Sequence, residues 1–543
     1  MQILVKFLSF CPPVLAWVNR LIINYFASST APRPHRFSLW SPSRLSTPAP
    51  LRIPPSISNV APKPSPISSA PCYTSWPSLV DRTFTARHLP PSEDGRNPPD
   101  EKVVLALFDR GSSMRENPRS SVLFCVFAQW FTDSFLRTHP IDPRRNTSNH
   151  EINLCQIYGL DEPSTWALRS GQEGRLKSRQ VGGCEYPMLL YSKGVIDPQF
   201  YDPNPVDELG LSYLRAGRAP FWEGALETSL PGTISDPSRR DWIYASGLDR
   251  GGSTVAYSAF NTIFLREHNR LAGLLSQAYR DWDDDRIFET ARLINVRQLL
   301  TIVVDDYIRH IGGLFPFALD RTFAERKRWY RSNRISIEFN LLYRWHSLVP
   351  DTIALSNQIF DHTQYRFNNA LLEKFGVEQV ISDISSQPAG RIGLFNTPNF
   401  LAVAEQHALK WARDFRLQSF NRYRERFGLT PYQSIDELAD GPQVADALKR
   451  IYGNDVDAVE FTVGLFAEKR GEADVMPETL VCMVAYDAFT HILTNPILSS
   501  EVHCKETLSE LGWDIVQQKA SLADIVRRNT DPGKTVRVSL SFR

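Results

Sequence analysis

Several features that would settle a protein's class at once are missing from this chain. Its seven cysteines, Cys11, Cys72, Cys125, Cys155, Cys184, Cys482 and Cys504, are scattered over 543 residues without CxxC spacing or a dense cluster. That argues against a disulfide framework and against a zinc or iron–sulfur site. Charge of one sign is also lacking. Sixty-one basic residues face 60 acidic ones, a net charge of +1, so there is no basic field for nucleic acid. The most apolar stretch, Met1 to Phe26, is interrupted by Pro12-Pro13, Asn19, Arg20 and Asn24, which makes it a poor transmembrane span. Strand signals are sparse. What remains is 42% apolar and 22% charged, a composition suited to a globular core. The length allows two or three domains or one large helical unit. The fold class read from this is mainly α.

Three helices are legible in the body. Ser253 or Thr254 caps the first, whose buried stripe is Phe260, Ile263, Phe264, Leu271, Leu274 and Leu275. A second begins after Asp283-Asp284-Asp285, acids that suit a helix N-terminus, and stops at Gly312-Gly313. A third runs from about Phe400 through Trp411 to Phe427 and ends at Gly428. Near the start, Val14, Leu15, Val18, Leu21, Ile22 and Tyr25 recur at helical spacing with polar residues opposite. That pattern fits a helix in a membrane interface and, equally, one packed on the protein body. A cleaved signal peptide is a weaker third reading, because polar residues fall in its apolar core. Residues Pro32 to Pro71 are rich in Pro, Ser and Ala and read as a disordered linker or insertion. The expected organisation is therefore an amphipathic helix in 1–31, a linker in 32–71 and a catalytic domain over 72–543.

The most informative segment is Glu338-Phe339-Asn340-Leu341-Leu342-Tyr343-Arg344-Trp345-His346-Ser347-Leu348-Val349-Pro350-Asp351. Tyr343 and His346 stand three positions apart, so on a helix they share a face. Neutral imidazole is a good iron ligand, and a phenol beside it can lose an electron and a proton to an oxidised metal centre. A lone histidine is more often a satisfied core residue than a ligand, but the whole block resembles the proximal-haem segment of cyclooxygenases. Six further blocks follow the same family in order: Phe127–Asp133, Ile152–Gly159, Phe264–Arg270, Asp305–Tyr307, Gln418–Phe427 and Tyr452–Glu460. Colinear similarity runs from about Tyr73 to about Ser500. The chain is identified as a member of the peroxidase–cyclooxygenase (animal haem peroxidase) superfamily.

That resemblance implies one large helical domain holding one haem b per chain, with His346 as the proximal iron ligand. It gives His268, in Arg266-Glu267-His268-Asn269-Arg270, a structural part. On the distal side Gln129 is kept, whereas Asp133 stands where cyclooxygenases carry a proton-moving histidine. Helical spacing aims both at the haem face, and burial is expected to raise the Asp133 pKa. Asp133 then either passes protons or merely binds its neighbours and leaves peroxidase turnover slow. Tyr343 matches the radical tyrosine and Tyr307 its hydrogen-bonding partner. Leu314 and Ala488 replace the tyrosine that helps hold the substrate carboxylate and the aspirin-acetylated serine, so prostaglandin formation is not expected. Arg20 is an unsupported candidate for the carboxylate's arginine partner. No cysteine-rich module precedes the catalytic domain, which favours an intracellular setting, with the N-terminal helix as a peripheral membrane contact. If the chain is exported, Asn146-Thr147-Ser148 is a glycosylation acceptor. The activity implied is haem-dependent oxygenation of an unsaturated fatty acid by O2. The alternatives are a haem peroxidase and a non-catalytic haem- or lipid-binding protein.

Overall fold

The computed structural model describes residues 11–28, 82–95, 97–139, 144–200, 237–248, 251–313, 315–327, 329–330, 334–472 and 474–542. Expectations for residues 32–71, for Tyr73 and for Leu314 lie outside them. Seven helices position the site: α1 (Pro12–Ser28), α2 (Val122–Thr132), α3 (Val255–Ala278), α4 (Asp284–Ile302), α5 (Ile337–Leu342), α6 (Ala402–Asp414) and α7 (Glu478–Leu493). Strands among the described residues form only two-stranded antiparallel ribbons. One of them, Ser178–Val181 with Cys184–Pro187, turns at Gly182 and Gly183, both at positive φ, the backbone that a tight two-residue hairpin demands.

The long helices carry their own start signals. The Thr254 hydroxyl accepts the Tyr257 amide at 3.0 Å and Asp283 accepts that of Arg286 at 2.8 Å. Each satisfies one of the amides a helix leaves unpaired. Of the two caps expected for α3, Thr254 is therefore the one used. Helix α3 is buried on nearly every side and packs against α4, as an all-round buried helix must. Beyond Ile302 the α4 rod continues to Ile311 but widens into a π-helical turn over Val303–Ile308. Asp305 and Asp306 in that turn accept the amides of Leu319 and Leu522, both at 2.7 Å. The extra residue rotates Tyr307 into a cage of Phe124, Phe127 and Phe131. Such bulges recur at functional sites.

Three expectations need correction. The helix anticipated from Phe400 to Phe427 is two helices: α6 ends at Asp414, Arg416 takes φ +48, and a new helix spans Phe420–Arg426. Apolar spacing continues across the break, so the sequence pattern hides it. Helix α1 packs on the protein body, one of its two expected settings, but not through the apolar stripe read from its spacing, and Arg20 stays exposed. Asn19 is buried and donates to the Ala318 carbonyl at 2.9 Å, while Ile23, Ala27 and Phe26 pack toward α7. Its exposed side carries Val14, Trp17, Leu21 and Tyr25. Asn146, finally, is buried with its amide donated to the Phe135 carbonyl at 2.6 Å, which leaves no room for a glycan in the folded chain.

Candidate active site

Tyr343 and His346 do not share a helix. The Ser336 hydroxyl caps α5 by accepting the Phe339 amide at 3.0 Å, and Tyr343 is already the residue that closes the helix. Trp345 then leaves the helical region (φ −84°, ψ 48°) and His346 opens a short 3₁₀ turn. Packing decides this break. Trp345 folds back to stack on Tyr343, with ring centroids 4.4 Å apart. Arg110 grips the chain just beyond, donating to the Val349 carbonyl at 2.7 Å and pairing with Asp351 at 2.8 Å. The turn sends the two side chains to different places.

His346 turns toward α6. Its Nδ1 donates to Glu405 Oε1 at 2.9 Å, and the same oxygen accepts the Thr397 hydroxyl at 2.9 Å. With the proton held on Nδ1, the lone pair of Nε2 is left for a metal. A carboxylate behind the ring is the usual second partner of an iron- or zinc-bound histidine, fixing its tautomer and orientation. The donor set fits haem iron. Neither Glu405 nor Thr397 is signalled by a motif; Glu405 reads in the sequence as one more acid in the first turn of a helix.

On α2 every residue is buried except Gln129, the one side chain of that helix turned to open space. Asp133 does not accompany it. It is buried at the helix end beside Tyr257 and Cys155, and its charge helps push the Tyr257 pKa well above the ordinary value, after burial itself. Being one turn apart placed both residues on one side of the helix, but α3 covers that side at Asp133 and not at Gln129.

Tyr343 lines a small apolar cavity with Tyr307, Phe131, Phe339, Ala488 and His491. Burial pushes the Tyr343 phenol above its ordinary range, while the neighbouring Tyr307 phenol eases it back. Tyr307 is also raised, by burial first and then by Tyr343, and its hydroxyl makes no hydrogen bond of good geometry. Both phenols therefore stay protonated at neutral pH. Arg20 is not at this cavity: it is exposed and paired with Asp320 at 2.5 Å. His268 is a satisfied core residue, with Nε2 donating to the Gly174 carbonyl at 2.8 Å and Nδ1 accepting the Tyr158 hydroxyl at 2.9 Å.

The sequence blocks meet in space. Tyr158 of one joins His268 of another, and Asn295 donates to the same phenol at 3.1 Å. Glu338 accepts the Tyr423 hydroxyl at 3.0 Å, and Asn421 donates to Asp457 at 2.8 Å. Buried polar groups of this kind need their partners, which explains why these residues recur as fixed blocks around the site.

Comparison with known proteins agrees. The animal haem peroxidase family model matches residues 142–540. Prostaglandin G/H synthase 1 of Rattus norvegicus is 32% identical over 490 residues, spanning 87% of this chain and 75% of that protein. Prostaglandin G/H synthase 2 of Equus caballus is 30% identical over 476 residues, 84% of this chain and 72% of that one. Among solved structures, the Oryza sativa fatty acid alpha-dioxygenase superimposes with a TM-score of 0.65 at 16% identity, covering 95% of this chain and 90% of its own. Peroxidase A from Dictyostelium discoideum gives 0.62 at 19%, covering 83% and 92%. The chain belongs to the animal haem peroxidase family, as a haem-binding relative of the prostaglandin G/H synthases.

Proposed function

We propose that the protein is a haem-dependent fatty-acid dioxygenase, with one haem b per chain bound through His346 and with Tyr343 as the group that attacks the lipid. The observation that carries this is the position of Tyr343. It lies three residues from the iron-type histidine and also on the wall of an apolar cavity, against Tyr307. A protein that merely stores haem or lipid has no need of that pair.

Bound haem supplies the oxidising equivalent that turns the Tyr343 phenol into a phenoxyl radical. Because burial keeps the phenol protonated, its proton has to leave together with the electron, and the Tyr307 hydroxyl is the neighbouring polar group that can accept a hydrogen bond as it does so. The phenoxyl then takes a hydrogen atom from a weak C–H bond, bis-allylic or α to the carboxyl, and becomes a phenol again. O2 adds to the carbon radical. The resulting peroxyl recovers a hydrogen atom from Tyr343, which leaves a hydroperoxide and a renewed tyrosyl radical. The apolar rings around the cavity keep water from quenching either radical.

Gln129 faces the distal side. Asp133, buried beside Tyr257, is a poor proton carrier to that side, which supports an oxygenase over a peroxidase. The exposed Val14, Trp17, Leu21 and Tyr25 stripe on α1 suits a lipid surface, where apolar and aromatic side chains insert shallowly. No helix among the described residues is long and apolar enough to cross a membrane. We place the protein as a peripheral enzyme on an intracellular membrane.

The test is oxygen uptake by haem-reconstituted protein with linoleate. Tyr343→Phe keeps the ring and removes only the oxidisable hydroxyl, so haem should stay bound while uptake disappears. Undiminished uptake in that variant ends the radical mechanism.

A further inference from the structure

His491 is the unexplained residue of the cavity. It sits in the last turn of α7, is 5% exposed, and lies against Phe339 and Phe135 at ring-centroid distances of 5.9 and 6.2 Å. Phe339 also packs edge-on against Tyr343 at 5.0 Å, so one ring touches both the reacting phenol and the imidazole. Nδ1 is buried without a hydrogen-bond partner. Among the described residues neither ring nitrogen makes one. A neutral imidazole carries one donor and one acceptor, and leaving them unpaired in an apolar wall costs stability unless a ligand uses them. Burial, aided by the neighbouring His150, Arg82 and His88, pushes its pKa down to about 3. His268 and His150 show the alternative. Each is buried as deeply, and each has both nitrogens engaged by hydroxyl or backbone partners.

The candidate read from the sequence for the carboxylate's partner, Arg20, offers less. Arg20 is committed to Asp320 and Thr322 at the surface. The polar group waiting for a partner is thus at the reacting end. We infer that His491 is the anchor for the fatty-acid head group, so that the substrate enters carboxyl-first and presents its α carbon to Tyr343. This rests on the oxygenase reading above and specifies its substrate orientation.

The chemistry is self-consistent. A fatty acid carried in with its own proton meets a neutral imidazole, so the pair is neutral overall wherever the proton settles, which a low-dielectric site tolerates. The free volume of the cavity, about 10 Å³, holds roughly one water. A head group therefore enters by displacing the stacked rings, not by filling an open channel. Hydrogen-atom abstraction from C2 gives a radical next to the carboxyl, O2 adds there, and the peroxyl regains its hydrogen from Tyr343. The product is a 2-hydroperoxy acid. No double bond is required.

Palmitate, palmitate methyl ester and linoleate are the probes, with His491→Phe as the variant because its ring preserves the stack. Wild-type holoenzyme should oxygenate palmitate at C2 and treat the ester poorly. His491→Phe should raise KM for palmitate by about tenfold or more, the range for losing one hydrogen bond to a charged group, with kcat changed less and the haem spectrum unchanged. Oxygenation of linoleate at an interior carbon with palmitate ignored overturns the inference while keeping the oxygenase. An unaltered KM and C2 product in His491→Phe overturns it too. Equilibrium binding of palmitate separates the two ideas. Binding that His491→Phe weakens, with no oxygen uptake from any acid, keeps the anchor and removes the oxygenase.

Discussion

His268 on α3 and His346 beside α5 are both held tightly, yet the two regions use imidazole for opposite ends. Around His268 the fold has spent both nitrogens, on Tyr158 and on the Gly174 carbonyl, and burial holds its pKa near 3. It is a neutral bracket between α3, α4 and the Ile152–Gly159 segment. Around His346 only Nδ1 is tied, to Glu405, and the other nitrogen is left for chemistry. The lesson concerns second partners. A histidine is available for function where the fold leaves at least one of its nitrogens without a partner.

The largest expected effect breaks that contrast directly. His346→Ala should abolish the Soret band of reconstituted protein while far-ultraviolet circular dichroism stays helical. His268→Ala should do the reverse, keeping the Soret band but lowering Tm, since its two orphaned partners cost about 1–3 kcal/mol each. A normal Soret band in His346→Ala would move the iron ligand elsewhere.

A second, smaller effect tests the carboxylate behind the ring. Glu405→Gln can still accept from Nδ1 but carries no charge, so the imidazole becomes a weaker donor. Haem affinity should fall roughly ten- to hundredfold, read as faster haem transfer to an acceptor protein. Unchanged transfer would mean that Glu405 only braces α6.

The distal side sharpens the comparison from the opposite face. With Asp133 buried beside Tyr257, wild-type protein should show slow guaiacol peroxidation beside lipid oxygenation. Asp133→His should raise peroxidase turnover by about tenfold or more, within the range for a positioned acid–base group. A rapid wild type and a slower variant would make Asp133 the working distal base.

The smallest effect is in the acid limb of stability. His150 has its folded pKa pushed down to about 4, and His268, His310 and His491 to about 3, chiefly by burial. Below about pH 6.5 the unfolded chain takes up these protons and the folded one does not, so stability is intact above that pH and is lost as pH falls toward 3. Replacing His491 by Phe removes one such proton. The pH dependence of unfolding free energy between pH 5 and 4 should become shallower by up to about 1.4 kcal/mol per pH unit. An identical slope would show that His491 is already charged in the folded state.

Much of this was readable before any coordinates. Helical periodicity and start signals such as Thr254 and Asp283 located α3 and α4, because capping and amphipathicity are local properties of a few residues. The proximal block singled out His346 and Tyr343 among the histidines and tyrosines of the chain. Spacing failed where tertiary contacts override local geometry. Tyr343 and His346 are separated by a break that Trp345 stacking and the Arg110 clamp impose. Asp133 is buried apart from the exposed Gln129, beside Tyr257, 124 positions on in the chain.

The sequence by itself determined the helical class, the family blocks and the candidate pair Tyr343 and His346, all carried by short runs of neighbouring residues. Only the tertiary structure decided which groups complete them. Glu405 lies 59 residues beyond His346, and His491 reaches the Tyr343 cavity from a helix near the end of the chain. Neither carries a motif, because a hydrogen-bond partner or a cavity wall is defined by where the backbone returns in space, and that follows from the packing of the whole core.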